Sequence, residues 1–388
     1  MPRACEVLRA AALTTMLAVT VSCSTTKEPG DELEALPADA IGAVSIGPEL
    51  LEAVDDQDRT TVYAFDESGS VLGQVEGNAI YGNNILTAAH KLVSASSRAV
   101  ITLTDTARIE TPIDYENIVQ AAVNQQETGA ATIWFNSGAA EGHYSNSFVS
   151  IDADNQAHSG SVPGIVRTSA YCDGRNFTVV NESFIGTTGD PTRNQLYELL
   201  PSGEPIVRAE WEHPSDFRPA DVGSACSSDG QTILALYSSR ETRKNERGDQ
   251  GLTLVRINVS DGSRSETALD MPGYIWNVRR GTPTAIDDRL YWISGDGDVL
   301  SVDVTGSSKV TREWTIPEGD AKTAVSVSGR TVTTVNYRGT PIFSEYDLLT
   351  GERRRSQIEL PWLESIVGSE TESGKNIYTI SDVASLTQ

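Results

Sequence analysis

Leu290-Tyr-Trp-Ile-Ser-Gly-Asp-Gly-Asp-Val-Leu-Ser-Val-Asp-Val-Thr-Gly306 holds two short apolar runs parted by a Gly/Asp turn and closed by Thr-Gly. Runs this short, rich in β-branched and aromatic residues and bounded by Gly and Asp, read as antiparallel strands joined by tight turns. Working outward, the same alternation starts at Thr60 and continues to the end of the chain, and no long helical period interrupts it. The turns fall into two series. One comprises Asn83-Asn84, Thr128-Gly129, Asp173-Gly174, Asp229-Gly230, Asp287-Asp288, Ser328-Gly329 and Ser373-Gly374. The other comprises Ser68-Gly69, Asp105-Thr106, Asp154-Asn155, Ser202-Gly203, Asp261-Gly262, Thr305-Gly306 and Thr350-Gly351. The series alternate, so each repeat carries two hairpins and four antiparallel strands, a to d. Dividing residues 60–388 by seven gives 47 per repeat, the size of a β-propeller blade. The expected fold is therefore all-β, a seven-bladed propeller. The first turn, at Gly69, belongs to the second series, and the last, at Gly374, belongs to the first. The chain should thus begin with strands c and d and end with strands a and b. The last blade would be closed by both termini, which removes the open sheet edges.

Composition agrees with a globular protein. Of 388 residues, 38% are hydrophobic and 22% charged, outside the disordered, collagen-like and polytopic membrane ranges. There are 54 acidic residues against 30 basic, a net charge of −24. A nucleic-acid partner, which needs a basic footprint to neutralise phosphates, is excluded.

Residues 1–22 read as a signal peptide. Arg3 and Arg9 precede an apolar-to-neutral stretch too short to span a bilayer, and it ends in Thr20-Val21-Ser22-Cys23. This resembles a bacterial lipoprotein signal, which implies a lipidated Cys23 at the mature N-terminus. Cleavage as an ordinary secreted protein is the alternative, because Thr20 stands where that family usually has Leu. Loss of residues 1–22 leaves a charge of −25, so attachment to an anionic membrane would come from the lipid and not from protein charge. Residues 23–59 read as lipidated N-terminus and flexible tether, and residues 60–388 as the propeller.

The stretch from Leu290 to Gly306, ending at Trp314, resembles a repeat of the bacterial quinoprotein-like propeller family. Tyr197 to Trp211 and Tyr346-Asp-Leu-Leu-Thr-Gly351 echo it. The resemblance implies the fold and a role as an envelope scaffold or binding platform. It does not carry quinone chemistry with it, since the adjacent cysteines and calcium ligands of those enzymes have no counterpart, and no cofactor is expected.

With Cys5 in the signal and Cys23 carrying lipid, Cys172 and Cys226 are the remaining pair. Both end strand a, in consecutive blades, which makes them neighbours around the axis. A disulfide stapling those blades is expected, with two buried free thiols as the alternative. The catalytic search gives little. Leu86-Thr-Ala-Ala-His90 is similar to the histidine-bearing strand of chymotrypsin-like proteases, but Lys91 follows and no Gly-Asp-Ser-Gly-Gly element exists. Ser159-Gly160-Ser161 and Gly223-Ser224 lack the flanks of a nucleophile. His90 is expected in strand b of the second blade, and His143, His158 and His213 in different blades, without ligand spacing. No metal is expected. Asp296-Gly297-Asp298 reads as a b-to-c turn.

Binding is expected on the face of the b-to-c and d-to-a connections, read as long and irregular at 136–146, 182–194, 212–222, 240–250 and 270–280. There Trp276, Arg279 and Arg280 stand together before strand a of the sixth blade, and Arg338 follows strand b of the seventh. An Arg/Trp group on so acidic a chain suggests a hot spot for an anion or partner. The alternative is pairing of these arginines with nearby acids. The function expected is that of a lipid-anchored, extracytoplasmic binding or scaffold module at the cell membrane. It would be monomeric and capture an envelope protein or a small anionic or carbohydrate ligand. The alternative is a hydrolase or lyase on carbohydrate or lactone substrates, using carboxylates at the propeller mouth.

Overall fold

The computed structural model describes residues 30–387 except 50–59, 78–84, 89–90, 97, 114–117, 126–127, 141–142, 182–190, 215–217, 239–250, 273–277, 318 and 321. Seven antiparallel sheets form a ring, each of four strands save the fifth, whose inner strand is split in two. The fold is a seven-bladed β-propeller. Blade 2 spans residues 86–112, blade 3 118–163, blade 4 165–214, blade 5 218–268, blade 6 284–315 and blade 7 323–359. The closing blade, counted as blade 1, takes its inner strand Tyr378–Ser385 from the C-terminus and Gly42–Pro48, Thr60–Phe65 and Val71–Gly77 from the N-terminal side.

Strand burial explains the pattern in the sequence. Strands b and c are stacked between neighbouring blades, so Arg289–Ile293 and Asp298–Asp303 are almost wholly buried and read as apolar runs rather than alternating ones. The outer strands Thr311–Thr315 and Arg264–Ala268 are mostly exposed and polar. Seven apolar clusters result, one in each joint between blades. The joints repeat a device at the c-to-d turns. The indole of Trp314 on strand d of blade 6 donates to Leu348 O of blade 7 at 2.8 Å, and that of Trp362 donates to Gly69 O of blade 1 at 3.0 Å. Gly351 has φ +71°, and a Cβ there would stand 2.8 Å from Trp314. Only glycine gives both the left-handed turn and room for the ring.

All seven turns of the second series connect strands c and d. Five of the first series connect a and b; Asn83-Asn84, itself outside the described residues, comes before strand a of blade 2, Leu86–Ala88, whose pairing with Lys91–Ala95 puts the a-to-b turn after Ala88. Gly374 corrects the expectation: its turn lies in a small hairpin, bridged at Glu370 and Ile377, ahead of the last strand. One C-terminal strand therefore closes the ring, not two, with three from the N-terminal side. The place of strand b is taken by Gly42–Pro48, which lies in the expected tether and pairs with both Thr60–Phe65 and Tyr378–Ser385. The propeller thus begins before Thr60. The Gly-Ala-Val-Ser-Ile-Gly-Pro strand has no hairpin turn within the described residues to mark it, and only the sheet reveals it. Ahead of it, residues 31–41 strap the hairpin-turn rim between blades 1 and 2, with Leu33 and Leu36 buried in that joint.

Cys172 and Cys226 form a disulfide between blades 4 and 5, with Cα atoms 5.4 Å apart across a sequence separation of 54. Reduction, or Cys172→Ala with Cys226→Ala, is expected to cost about 2–4 kcal/mol by freeing that loop in the unfolded chain. Urea unfolding with and without reductant measures it, and an unchanged midpoint would contradict the staple.

Candidate functional site

The inner strands of the closing blade and of blades 2 to 6 touch in sequence around the axis, as do those of blade 7 and the closing blade, and the ring leaves a central channel. At the face of the a-to-b and c-to-d turns it opens into a mouth of about 600 Å³. Most blades contribute a polar side chain: Thr87, Asn124, Asp173, Ser224, Thr284 and Ser326 from blades 2 to 7 in order, while the closing blade brings Ala384. Position explains the lining, because strand a has one edge facing the axis and no apolar partner there. Asn124 Nδ2 donates to Thr87 O at 3.0 Å, tying two blades together, and the hydroxyls of Ser224 and Thr168 bond to one another. Asp229 Oδ1 accepts from Ser227 Oγ at 2.6 Å and from Gln231 N at 3.0 Å. These bonds hold its carboxyl below the usual aspartate range. Arg330, also at the mouth, is paired with Asp347 at 3.2 Å. Cys226 lies on the wall, so the disulfide braces the mouth itself.

Next to the wall residues Gly223 and Gly281, one carboxyl is shifted the other way. Asp221 Oδ2 accepts from Gly281 N at 2.7 Å and Oδ1 from Gly223 N at 3.3 Å, which joins the gap in the split inner strand of blade 5 to the link leading into blade 6. Burial pushes its pKa up from 3.8 to about 6, against the pull of these amides and of Arg280. Between those two values the folded chain holds the proton and the unfolded chain has lost it. Stability from this group is therefore full below about pH 4, declines as pH rises through 6, and is gone above it. The expected decline is about 1–3 kcal/mol, and Asp221→Asn should flatten it. Urea unfolding from pH 4 to 8 reads both, and a slope unchanged in the variant would refute the assignment.

The Arg/Trp group predicted on the opposite face is only partly brought together. Arg279 Nε donates to Ser294 O, Nη1 to Thr323 O, and Nη2 to Gly295 O, Gly319 O and Asp320 O. All three nitrogens are thus engaged by main-chain carbonyls of blades 6 and 7, and burial lowers its pKa from the ordinary guanidinium value. Arg338 pairs with the Asp320 carboxylate, so the two arginines meet through one residue. Arg280 is exposed and feels Asp221, and Trp276 lies outside the described residues. Cys23 and His90 also lie outside them.

The connections on that face are shorter than expected where they are described. Blade 3 is paired as far as Ala140 and His143, so most of 136–146 is strand. Blade 4 is paired as far as Pro191 and Pro214. His143 and His158 share blade 3, on adjacent strands, and are not in different blades. Among the described residues no three of His, Cys, Asp and Glu converge as a metal site would require. Asp296-Gly297 forms the b-to-c turn, with Asp298 accepting from Thr315 Oγ1 at 2.6 Å and pairing with Arg312 at 3.0 Å. Sequence reasoning placed Asp173 and Asp229 in turns but missed the mouth they rim. No local signal marks Asp221 within Pro-Ala-Asp-Val-Gly.

No family model and no curated protein matches the chain. Solved structures do. Cobalt-substituted Synechocystis ACO, an apocarotenoid oxygenase, is 10% identical with a TM-score of 0.50, over 84% of this chain and 91% of that one. The β-propeller domain of the Trilobed protease from Pyrococcus furiosus is 10% identical with a TM-score of 0.49, over 84% and 96%. An oligogalacturonate lyase in complex with manganese is 8% identical with a TM-score of 0.44, over 81% and 95%. At 10% identity and a TM-score of 0.50, the first of these likenesses bears on the fold alone.

Proposed function

We propose that the chain is a binding module of the cell envelope, held outside the membrane by lipid on Cys23, that captures a polar ligand non-covalently in the channel mouth. The observation that carries this reading is the mouth itself. Its volume of about 600 Å³ suits a disaccharide or a short peptide, and its walls offer hydroxyls, amides and a few carboxylates on a rigid ring. Chemistry of that kind fits a hydroxyl- and amide-bearing ligand, of which an N-acetylated sugar is the nearest class. The Trp-over-glycine joints and the c-to-d turn sequence support kinship with quinoprotein-like repeats, whose envelope members the chain resembles. Arg280, with Trp276 near it in sequence, is the proposed contact for a protein partner, and Arg279 and Arg338 meet at Asp320 in the adjoining joint.

The test is calorimetric titration of residues 23–388 with N,N'-diacetylchitobiose, beside Ser326→Trp, which fills the mouth from blade 7. Saturable binding weakened about tenfold or more in the variant is the expected result. Equal binding by both proteins, or none by the parent, would overturn the carbohydrate reading of the mouth. Cleavage of the sugar in the same cell would replace capture by hydrolysis.

A further inference from the structure

The strap before the first propeller strand fixes the direction from which the chain arrives. Asp31 O accepts from Gln74 N at 3.0 Å, Leu33 N donates to Gln74 O at 2.9 Å, and Glu32 bridges to Gln74 in parallel sense. Gln74 lies on the outer strand of blade 1, Val71–Gly77, which starts at the c-to-d turn and runs toward the opposite face. A segment parallel to it enters from the hairpin-turn side. The strap then returns to that side: Leu36 N donates to Thr104 O, in the c-to-d turn of blade 2, at 2.7 Å, and Ile41 N to Phe65 O at 2.9 Å. Leu33, at 6% exposure, and Leu36, at 8%, pack into the joint between blades 1 and 2, and Glu32 pairs with Arg108 of blade 2 at 3.1 Å. The attachment is thus part of the folded body.

Seven residues, 24–30, separate Cys23 from Asp31. Fully extended, the chain from Cys23 to Asp31 reaches about 28 Å. Asp31 stands level with Gln74, the middle residue of Val71–Gly77, so each face lies about 10 Å, half a strand length, from it. To turn the opposite face to the bilayer, the tether would have to reverse the direction in which the chain reaches Gly30 and Asp31 and run back along blade 1.

We infer that the propeller is held with its hairpin-turn face toward the membrane, so that the channel mouth opens onto the bilayer side and not onto the outer medium. The inference rests on the lipid anchor at Cys23 proposed above. The turns on this face are acidic, with Asp66, Asp154, Asp229, Asp261 and Asp288 among them. On anionic lipid the face should therefore stand off rather than lie flat, leaving the mouth open to what the membrane carries.

The experiment uses residues 23–388 with the disulfide intact, attached through the Cys23 thiol to a maleimide lipid in neutral vesicles. A donor dye is placed by an azide-bearing residue either at Glu352, in the c-to-d turn of blade 7, or at Thr340, between strands b and c of the same blade; both are exposed. Energy transfer to an acceptor lipid should be about twofold or more stronger from Glu352, since about 20 Å of blade separates the two sites. Leu33→Asp with Leu36→Asp, which releases the strap, should narrow the difference. Equal transfer from both sites, or stronger transfer from Thr340, overturns the orientation. The mass of the Cys23 peptide from native membranes tests the lipid separately, so loss of the anchor reading and loss of the orientation are told apart.

Discussion

A chain ending at Ile377 is expected to lose the propeller rather than a single strand. Strand Tyr378–Ser385 is the inner strand of the closing blade, and its pairing with Gly42–Pro48 is the main-chain link that closes the ring within that sheet. Ile380 and Val383 belong to the joint between blades 7 and 1, and Ala384 and Leu386 to the joint between blades 1 and 2. Removing Ile380, Val383 and Leu386 forfeits about 5–8 kcal/mol of apolar burial. That is comparable with the whole stability of an ordinary domain, about 5–15 kcal/mol. It also leaves Gly42–Pro48 as an open edge, a template for aggregation. The expected outcome is loss of the cooperative thermal transition with light scattering at ambient temperature, read by near-ultraviolet circular dichroism and size-exclusion chromatography. A peptide of residues 378–388 added in trans should restore part of the signal. A truncated chain that melts cooperatively within a few degrees of the parent would show that the ring does not depend on this closure.

Arg279→Met is expected to be the most damaging single substitution of those considered. The side chain is drawn into the joint of blades 6 and 7 and holds five carbonyls from three segments: the b-to-c turn, the link after blade 6, and the first residue of blade 7's inner strand. Methionine keeps much of the volume and removes every donor. A buried acceptor left alone costs about 1–3 kcal/mol, and with partial access of water to the set the sum is about 3–5 kcal/mol. Arg279→Lys, with a single ammonium, should recover only part of this, because no lysine spans the fork. Arg338→Ala, whose partner Asp320 is half-exposed, should cost less than about 1 kcal/mol. Chemical denaturation of the three variants gives the ranking. An Arg279→Met protein as stable as its parent would restore the view of this arginine as a free ligand hook.

The features legible in the residue order alone are those that depend on near neighbours. Strands that alternate with Asn, Asp and Gly turns have a period that local sterics enforce. Positive φ at Gly69, Gly203, Gly262 and Gly351 marks four of the c-to-d turns that set the repeat count. The Cys172–Cys226 bond was legible for the same reason, since equivalent positions in consecutive repeats are adjacent on a ring. Tertiary structure decided the rest. Whether Gly42–Pro48 is tether or strand depends on a partner more than 300 residues away, the strand Tyr378–Ser385 that its backbone pairs with. Whether Arg279 is a hook or a joint depends on which carbonyls blade 7 brings to it. The mouth of the channel is formed by short stretches from all seven blades, polar in six of them, none of which carries a motif, because a ring of inner strands gathers at its axis residues that the chain keeps far apart.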